Sequence, residues 1–347
     1  MKRNYLTIFL LASLTLFAAI PKAHAFKKKT GQSGMDYLGI GTSARLAAMG
    51  DASVASVSGI QGAFYNPAVL VDVKKAAVAV NQVSWIVDTH LYTVAAALSF
   101  GDYGTIAFDW INMDYGDIPG TRRVDKSINP NGYELTGDVG VQDYSFGMSY
   151  AKRINDRFSF GLKFKYLYED LGDAAIVVDE RTDPSTGEVT KIRETRNWNL
   201  WHWGMDFGTI YDTGFHGLKF AMSMRNFSTD MKYWYEAFQL PMELRMGLSM
   251  DMLEWFLPDN KTMQLNMAVD AMHPNDYTER IHVGGEWLYL KKFALRAGYQ
   301  FNHDVESFSW GMGLRFSYFG VASALNFGYT TTNYFKDVSR FSLQFEF

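Results

Sequence analysis

From Ala76 onward, apolar and polar residues alternate with period 2. Leu240, Met242, Leu244, Met246, Leu248, Met250 and Met252 share one face, opposite Glu243, Arg245, Gly247, Ser249 and Asp251. Phe308, Trp310, Met312, Leu314, Phe316 and Tyr318 likewise oppose Ser309, Gly311, Gly313, Arg315 and Ser317. Successive strand side chains point to opposite faces, so this pattern reads as strands with one apolar face. It predicts about 14 of them, at 75–85, 89–101, 103–115, 141–152, 157–169, 200–212, 217–228, 238–252, 262–272, 281–290, 292–302, 307–318, 321–331 and 338–347. Most reach the length that a tilted membrane strand needs, and an even count returns the last strand to the side of the first. Period 2 alone also fits a soluble sandwich, whose apolar face is its core.

The connections break that tie. The long stretch 116–140 is followed by a tight turn at Asn155-Asp156, and the longest, 171–199, by a short turn at Gly214–Gly217. Short turns at one rim and long loops at the other mark an outer-membrane barrel. Asp183-Pro184-Ser185-Thr186-Gly187 is a turn signal whose flanks, 176–182 and 188–194, are able to pair as a hairpin rising above the membrane; the charged stretch 171–199 is expected to be solvated rather than a defined binding surface. This order of connections puts the N-terminus, the entry to the interior and the C-terminus at the periplasmic rim.

Composition agrees. Aromatic residues make up 16%, with 30 Gly, 8 Pro and no Cys, which excludes disulfides, thiolate metal sites and a lipobox. Lys2 and Arg3, the apolar Tyr5–Ile20 and Ala23-His24-Ala25 form a secretory signal peptide, residues 1–25. Its removal takes Lys2, Arg3 and Lys22 and moves the formal charge from −4 to −7, no footprint for nucleic acid. The expectation is an all-β, transmembrane antiparallel barrel over 73–347 in a Gram-negative outer membrane, in contact with its lipid, after a periplasmic lead at 26–40. Residues 41–72 differ: Gly41–Leu70 is small, rich in Gly, Ala and Ser, and nearly uncharged. They are expected to form a plug. Asn66-Pro67-Ala68 suits a helix start, with Asn66 as cap and Pro67 at the first position.

Ala44-Arg45-x-x-Ala48-Met49-Gly50-Asp51-Ala52 and Tyr65-Asn66-Pro67-Ala68 resemble the opening of PorV/PorQ-family outer-membrane proteins. Those are similar to the FadL long-chain fatty-acid transporters, whose N-terminal hatch carries the same Asn-Pro-Ala triplet. Ala268–Asp276, Val283-Gly284-Gly285-Glu286 and Leu295–Tyr299 extend the resemblance over most of the mature chain. Asp51 stands where a second Gly is common, and Val69 where Gly follows the triplet. The resemblance implies a protein that binds exported proteins by their C-terminal secretion domains in type IX secretion. The alternative it implies is a FadL-like transporter of hydrophobic small molecules.

Enzymatic motifs are weak. There is no His-Glu-x-x-His and no Gly-x-Ser-x-Gly, and the histidines are scattered. No catalytic residue, metal site or cofactor is expected. Asp270 with His273 falls below the usual metal-ligand count. The inward faces carry Arg225, Arg245, Asp251, Asp270, Glu286, Arg296 and Arg315; an Arg facing lipid at mid-depth would cost about 2–4 kcal/mol. These charges are expected to pair as a lumen network that fixes plug to wall. Phe347, on one face with Phe341, Leu343 and Phe345, resembles the terminal aromatic that the barrel assembly machinery reads.

Overall fold

The computed structural model describes residues 32–182, 184–185, 189–257, 260 and 262–347. The signal peptide and residues 26–31 of the expected lead lie outside them.

Fourteen strands close into one antiparallel barrel. They are β1 (Ala76–Ser84), β2 (His90–Ser99), β3 (Thr105–Asp114), β4 (Gln142–Arg153), β5 (Phe158–Thr182), β6 (Val189–Asp212) and β7 (Lys219–Phe227), then β8 (Glu243–Asp251), β9 (Met263–Pro274), β10 (Arg280–Tyr289), β11 (Phe293–Phe301), β12 (Glu306–Tyr318), β13 (Val321–Thr332) and β14 (Val338–Glu346). Each pairs with its neighbour in sequence, and β14 closes on β1 through Ala77–Glu346 to Ser84–Ser339. Closure leaves no open edge, as a lipid environment requires.

Alternation sorts the wall. Val94, Phe108, Trp110, Phe146, Met148, Phe164, Trp203, Leu248, Val269, Trp310 and Met312 are exposed on the outside, forming the apolar belt of a transmembrane barrel. The chain is an outer-membrane β-barrel. One rim carries only short connections, apart from 252–262. The other carries the long ones, where Pro119–Arg123 pairs with Tyr133–Asp138 and Met231–Lys232 with Ala237–Phe238. Across 171–199 the flanks of the turn signal do pair: β5 and β6 stay paired from Phe158–Tyr211 to Thr182–Val189, rising beyond the wall as a hairpin.

Residues 33–73 run through the barrel interior. Gly34 N donates to Gln239 O at the long-loop rim (3.0 Å), and Val73 packs with Ala77 at the other rim. The part of the lead within the described residues, 32–40, therefore sits at the rim opposite to the expected one. The chain crosses the whole barrel before β1 begins. Short helical turns at Asp36–Gly39, Ala44–Ala47, Gly59–Gln61, Gly62–Tyr65 and Pro67–Asp72 make this segment compact.

Candidate functional site

The interior has two unlike walls. Across β1–β3 the inward residues are mostly small or apolar: Ala77, Ala79, Val83, Leu91, Ala95, Ala97, Ala107 and Ile111 are all buried. Leu38, Ile40, Leu46, Val57, Ile60, Phe64, Val69 and Leu70 of the N-terminal segment belong to the same apolar cluster, which also takes in Ala151 of β4 and Leu167 of β5. The result is one contiguous apolar cluster, from Met35 and Met231 at the long-loop rim to Val73 and Ala77 at the short-turn rim.

The opposite wall is ionic. Glu286 is fully buried and holds three guanidinium groups. Arg45 of the N-terminal segment binds it through Nε (2.9 Å) and Nη2 (3.0 Å), Arg296 through Nε (2.7 Å), and Arg315 at 3.5 Å. Nearer the other rim, Arg245 Nη1 lies 2.8 Å from Asp51 Oδ2, and its Nη2 lies 3.3 Å from Glu243, which also pairs with Arg225 (2.9 Å). Asp270 Oδ2 accepts the backbone N–H groups of Ser53 (2.6 Å) and Val54 (2.8 Å) and stands 4.0 Å from Arg245. Ionic pairs also reach into the apolar sector: Lys163 of β5 binds Asp109 of β3, and Lys165 binds Asp206 of β6, each at 2.7 Å. Arg340 binds Glu306 (2.9 Å) and donates to Gly41 O (2.8 Å). A charge taken out of water is tolerated only when paired and hydrogen-bonded, and here most partners bridge the segment to the wall or one strand to the next.

Asn66 joins the two halves. Its Oδ1 accepts from Ala68 N (3.1 Å), so it caps the turn that Pro67 opens. Its Nδ2 donates to Val54 O and to Thr209 O of β6, both at 3.1 Å. This turn lies against paired glycines: a Cβ on Gly208 would sit 2.0 Å from Asn66 Oδ1, and one on Gly161 would sit 2.4 Å from the Pro67 carbonyl carbon. The Gly284–Gly298 pair admits Met49 and Gly50 in the same way.

Six of the seven inward charges read from the sequence thus meet partners inside the barrel. Asp251 does not. It ends β8 at the short-turn rim, where its Oδ1 accepts from Leu253 N and Leu265 N (both 3.0 Å) and caps the helix Met252–Phe256. Its parity is inward but its depth is the rim. Leu240 and Met242, read as part of a strand, precede β8, and Leu240 is buried beneath the long-loop rim. His273 pairs with Glu279 (3.3 Å), not Asp270. Phe347 is exposed, and its N–H donates to Ala76 O (2.9 Å). Arg45, Asp51, Asp109, Lys163, Lys165, Asp206, Glu243, Glu306 and Arg340 complete the network and were missed. Lys163 and Lys165 were open to detection, since they alternate with Leu162, Phe164 and Tyr166.

Among the described residues, cavities open at both rims. At the long-loop rim one of 970 Å³ is lined by Tyr37, Tyr115, Glu169, Tyr233 and Phe238, and one of 230 Å³ by Arg245, Arg280, His282 and His303. At the short-turn rim a 530 Å³ cavity lies between the N-terminal segment and β12–β14.

No protein-family model matches the chain, and no curated protein sequence does. Solved structures do match. The toluene transporter TbuX of Ralstonia pickettii aligns with TM-score 0.56 and 12% identity, over 88% of this chain and 97% of TbuX. The toluene transporter TodX of Pseudomonas putida gives 0.54 and 12%, over 86% and 95%. A FadL homologue of Pseudomonas aeruginosa gives 0.51 and 11%, over 88% and 98%. None of these three is a PorV or PorQ protein. In fold, the chain is similar to these FadL-like outer-membrane barrels.

Proposed function

We propose that the barrel carries small hydrophobic molecules across the outer membrane, along the seam between residues 33–73 and the apolar sector of β1–β3. The observation behind this reading is the apolar cluster that runs from rim to rim. A water-filled porin path would be lined by polar groups instead. Two of the structures with this fold are toluene transporters, which supports the same class of cargo. In this reading residues 41–72 act as the plug and Asn66-Pro67-Ala68 anchors it. Arg225, Arg245, Asp270, Glu286, Arg296 and Arg315 hold it against the ionic wall, so that movement is confined to the greasy side. Phe347 serves assembly.

The resemblance to PorV/PorQ implied exported proteins as cargo. The structural likeness lies with hydrocarbon transporters, and no observation favours the protein-binding role. Deletion of the gene separates the two. Uptake of labelled toluene or of a labelled long-chain fatty acid should fall, while secretion of proteins bearing the C-terminal domain stays intact. Normal uptake with lost secretion would overturn the proposal.

A further inference from the structure

We propose that the cavity at the short-turn rim is a binding site for a phosphate group, held between Arg315 and the Lys291-Lys292 turn. This site adjoins the short-turn end of the apolar cluster, sharing Ile60, Val73 and Ala77 with it, but its charge chemistry does not depend on the transport reading.

The cavity measures 530 Å³ and is lined by Arg45, Arg315, Lys291 and Lys292 against two carboxylates, Asp72 and Glu346. Asp72 is engaged by Arg153 (3.2 Å). Behind the lining, Glu286 is shared by Arg45, Arg296 and Arg315. One carboxylate therefore serves three guanidinium groups; with Lys291 and Lys292 set against Glu346, the site keeps an excess of about three positive charges, enough to match the −1.5 to −2 that a phosphate monoester carries at neutral pH.

Donors remain for such a ligand. Arg315 reaches Glu286 only at 3.5 Å and is 38% exposed. Arg296, wholly buried behind the lining, keeps Nη1 and Nη2 without a hydrogen-bond partner in the protein and adds charge rather than a contact. They lie over Gly313, where an added Cβ would sit 2.7 Å from each, beside Asn326, which lines the cavity. Lys291 and Lys292 form the tight β10–β11 turn, and Arg315 N donates to Lys292 O (2.7 Å), so the lysines and Arg315 are backbone neighbours. A guanidinium fork beside ammonium groups is the donor set that recognises phosphate oxygens. Ser58, Ser317 and Gln344 supply neutral donors around it.

The phosphate has two sources, free inorganic phosphate and the headgroup of a phospholipid from the adjacent leaflet. Titration calorimetry on the purified full-length barrel in maltoside micelles tests both, with inorganic phosphate in one arm and dihexanoyl phosphatidate in the other. Binding in either arm that weakens about tenfold in Lys291→Gln/Lys292→Gln, and again in Arg315→Gln, supports the site and names the source. The exposed Lys126→Gln variant should bind as the parent does. Heat-modifiable gel mobility checks that each variant is folded, and the lysine pair, lying in a surface turn, keeps the test open if Arg315→Gln fails to assemble. No binding in either arm overturns the proposal. So does binding that both variants leave unchanged, or acetate binding as tightly as phosphate.

Discussion

Gly161 of β5 and Gly208 of β6 face each other across the ladder, and the Asn66-Pro67 turn lies directly on the flat patch they make. Alone among residues, glycine lets a second backbone approach a sheet this closely. The pair sits where Asn66 Nδ2 reaches Thr209 O, so wall and segment are fitted to each other here, as they are at Gly284 and Gly298.

That fit makes Gly208→Ala informative. The new methyl would overlap Asn66 Oδ1, and overpacking of this kind costs about 1–3 kcal/mol. The urea midpoint of the refolded barrel should drop. Conductance in planar bilayers should rise, because the segment loses its seat. An unchanged midpoint together with unchanged conductance would show that the contact holds nothing.

Asp270→Ala should be more damaging. Asp270 is completely buried, accepts two backbone N–H groups and faces Arg245. Its removal leaves orphan donors and a less compensated cation, a loss of about 3–5 kcal/mol. Asp270→Asn, which keeps an acceptor, should lie between that variant and the parent in denaturant titrations. Equal midpoints for all three would contradict the role given to the network.

The fold was legible because each barrel strand keeps one face in lipid and one inside, which period 2 records directly. The β5–β6 hairpin above the membrane has water on both faces, so pairs such as Glu180 with Lys191 leave no period 2 and were legible only through the turn signal between their strands. Arg225, Arg245 and Glu286 were legible by parity. Arg45 and Asp51 were not: they lie in an aperiodic segment, and Arg45 meets Glu286 across 241 residues of sequence. The course of residues 32–40 was also hidden, since nothing local to Ser33 and Gly34 announces a bridge to Gln239.

Acid should weaken the long-loop rim through His303. It lies in the β11–β12 turn, and its Nδ1 accepts from Val305 N (3.3 Å) and Glu306 N (2.9 Å). Burial, and then the Arg280 cation, lower its pKa to about 4, against the pull of Glu306 and Asp304. The unfolded chain therefore binds the proton first, near the ordinary value of about 6.5. Stability from this group is lost as pH falls from there through about 4, because the unfolded chain binds more protons than the folded one in that window. His303→Asn keeps a turn acceptor without the titration. Its denaturation midpoint should change less between neutral and acid pH than the parent's, and parallel curves would refute the assignment.

Val87 offers a gain. It is 71% exposed in the β1–β2 connection and holds φ 55°, a left-handed conformation that a β-branched residue rarely adopts. The strain is worth about 1–2 kcal/mol. Val87→Asn should recover most of it and raise the unfolding midpoint, while uptake stays at the parent level, since the residue lies outside the interior. A lowered midpoint would mean that the valine makes a contact worth more than its strain.

The transport reading stands or falls on the apolar seam. Ala97 and Ala107 face each other on β2 and β3, both buried inside the cluster that runs between the rims. Small residues here leave a smooth wall once the N-terminal segment moves. Ala97→Phe would put a ring into that path, with overpacking of about 1–3 kcal/mol as its stability effect. Assembly, read as heat-modifiable mobility, should survive, because wall hydrogen bonding is untouched. Toluene influx into proteoliposomes should fall to near the protein-free level. Ala97→Ser keeps the size and adds one hydroxyl, so it should reduce influx much less. If both variants carried toluene at the parent rate, the molecules would have to cross elsewhere, and the ionic wall between β8 and β12 would become the remaining route through the interior.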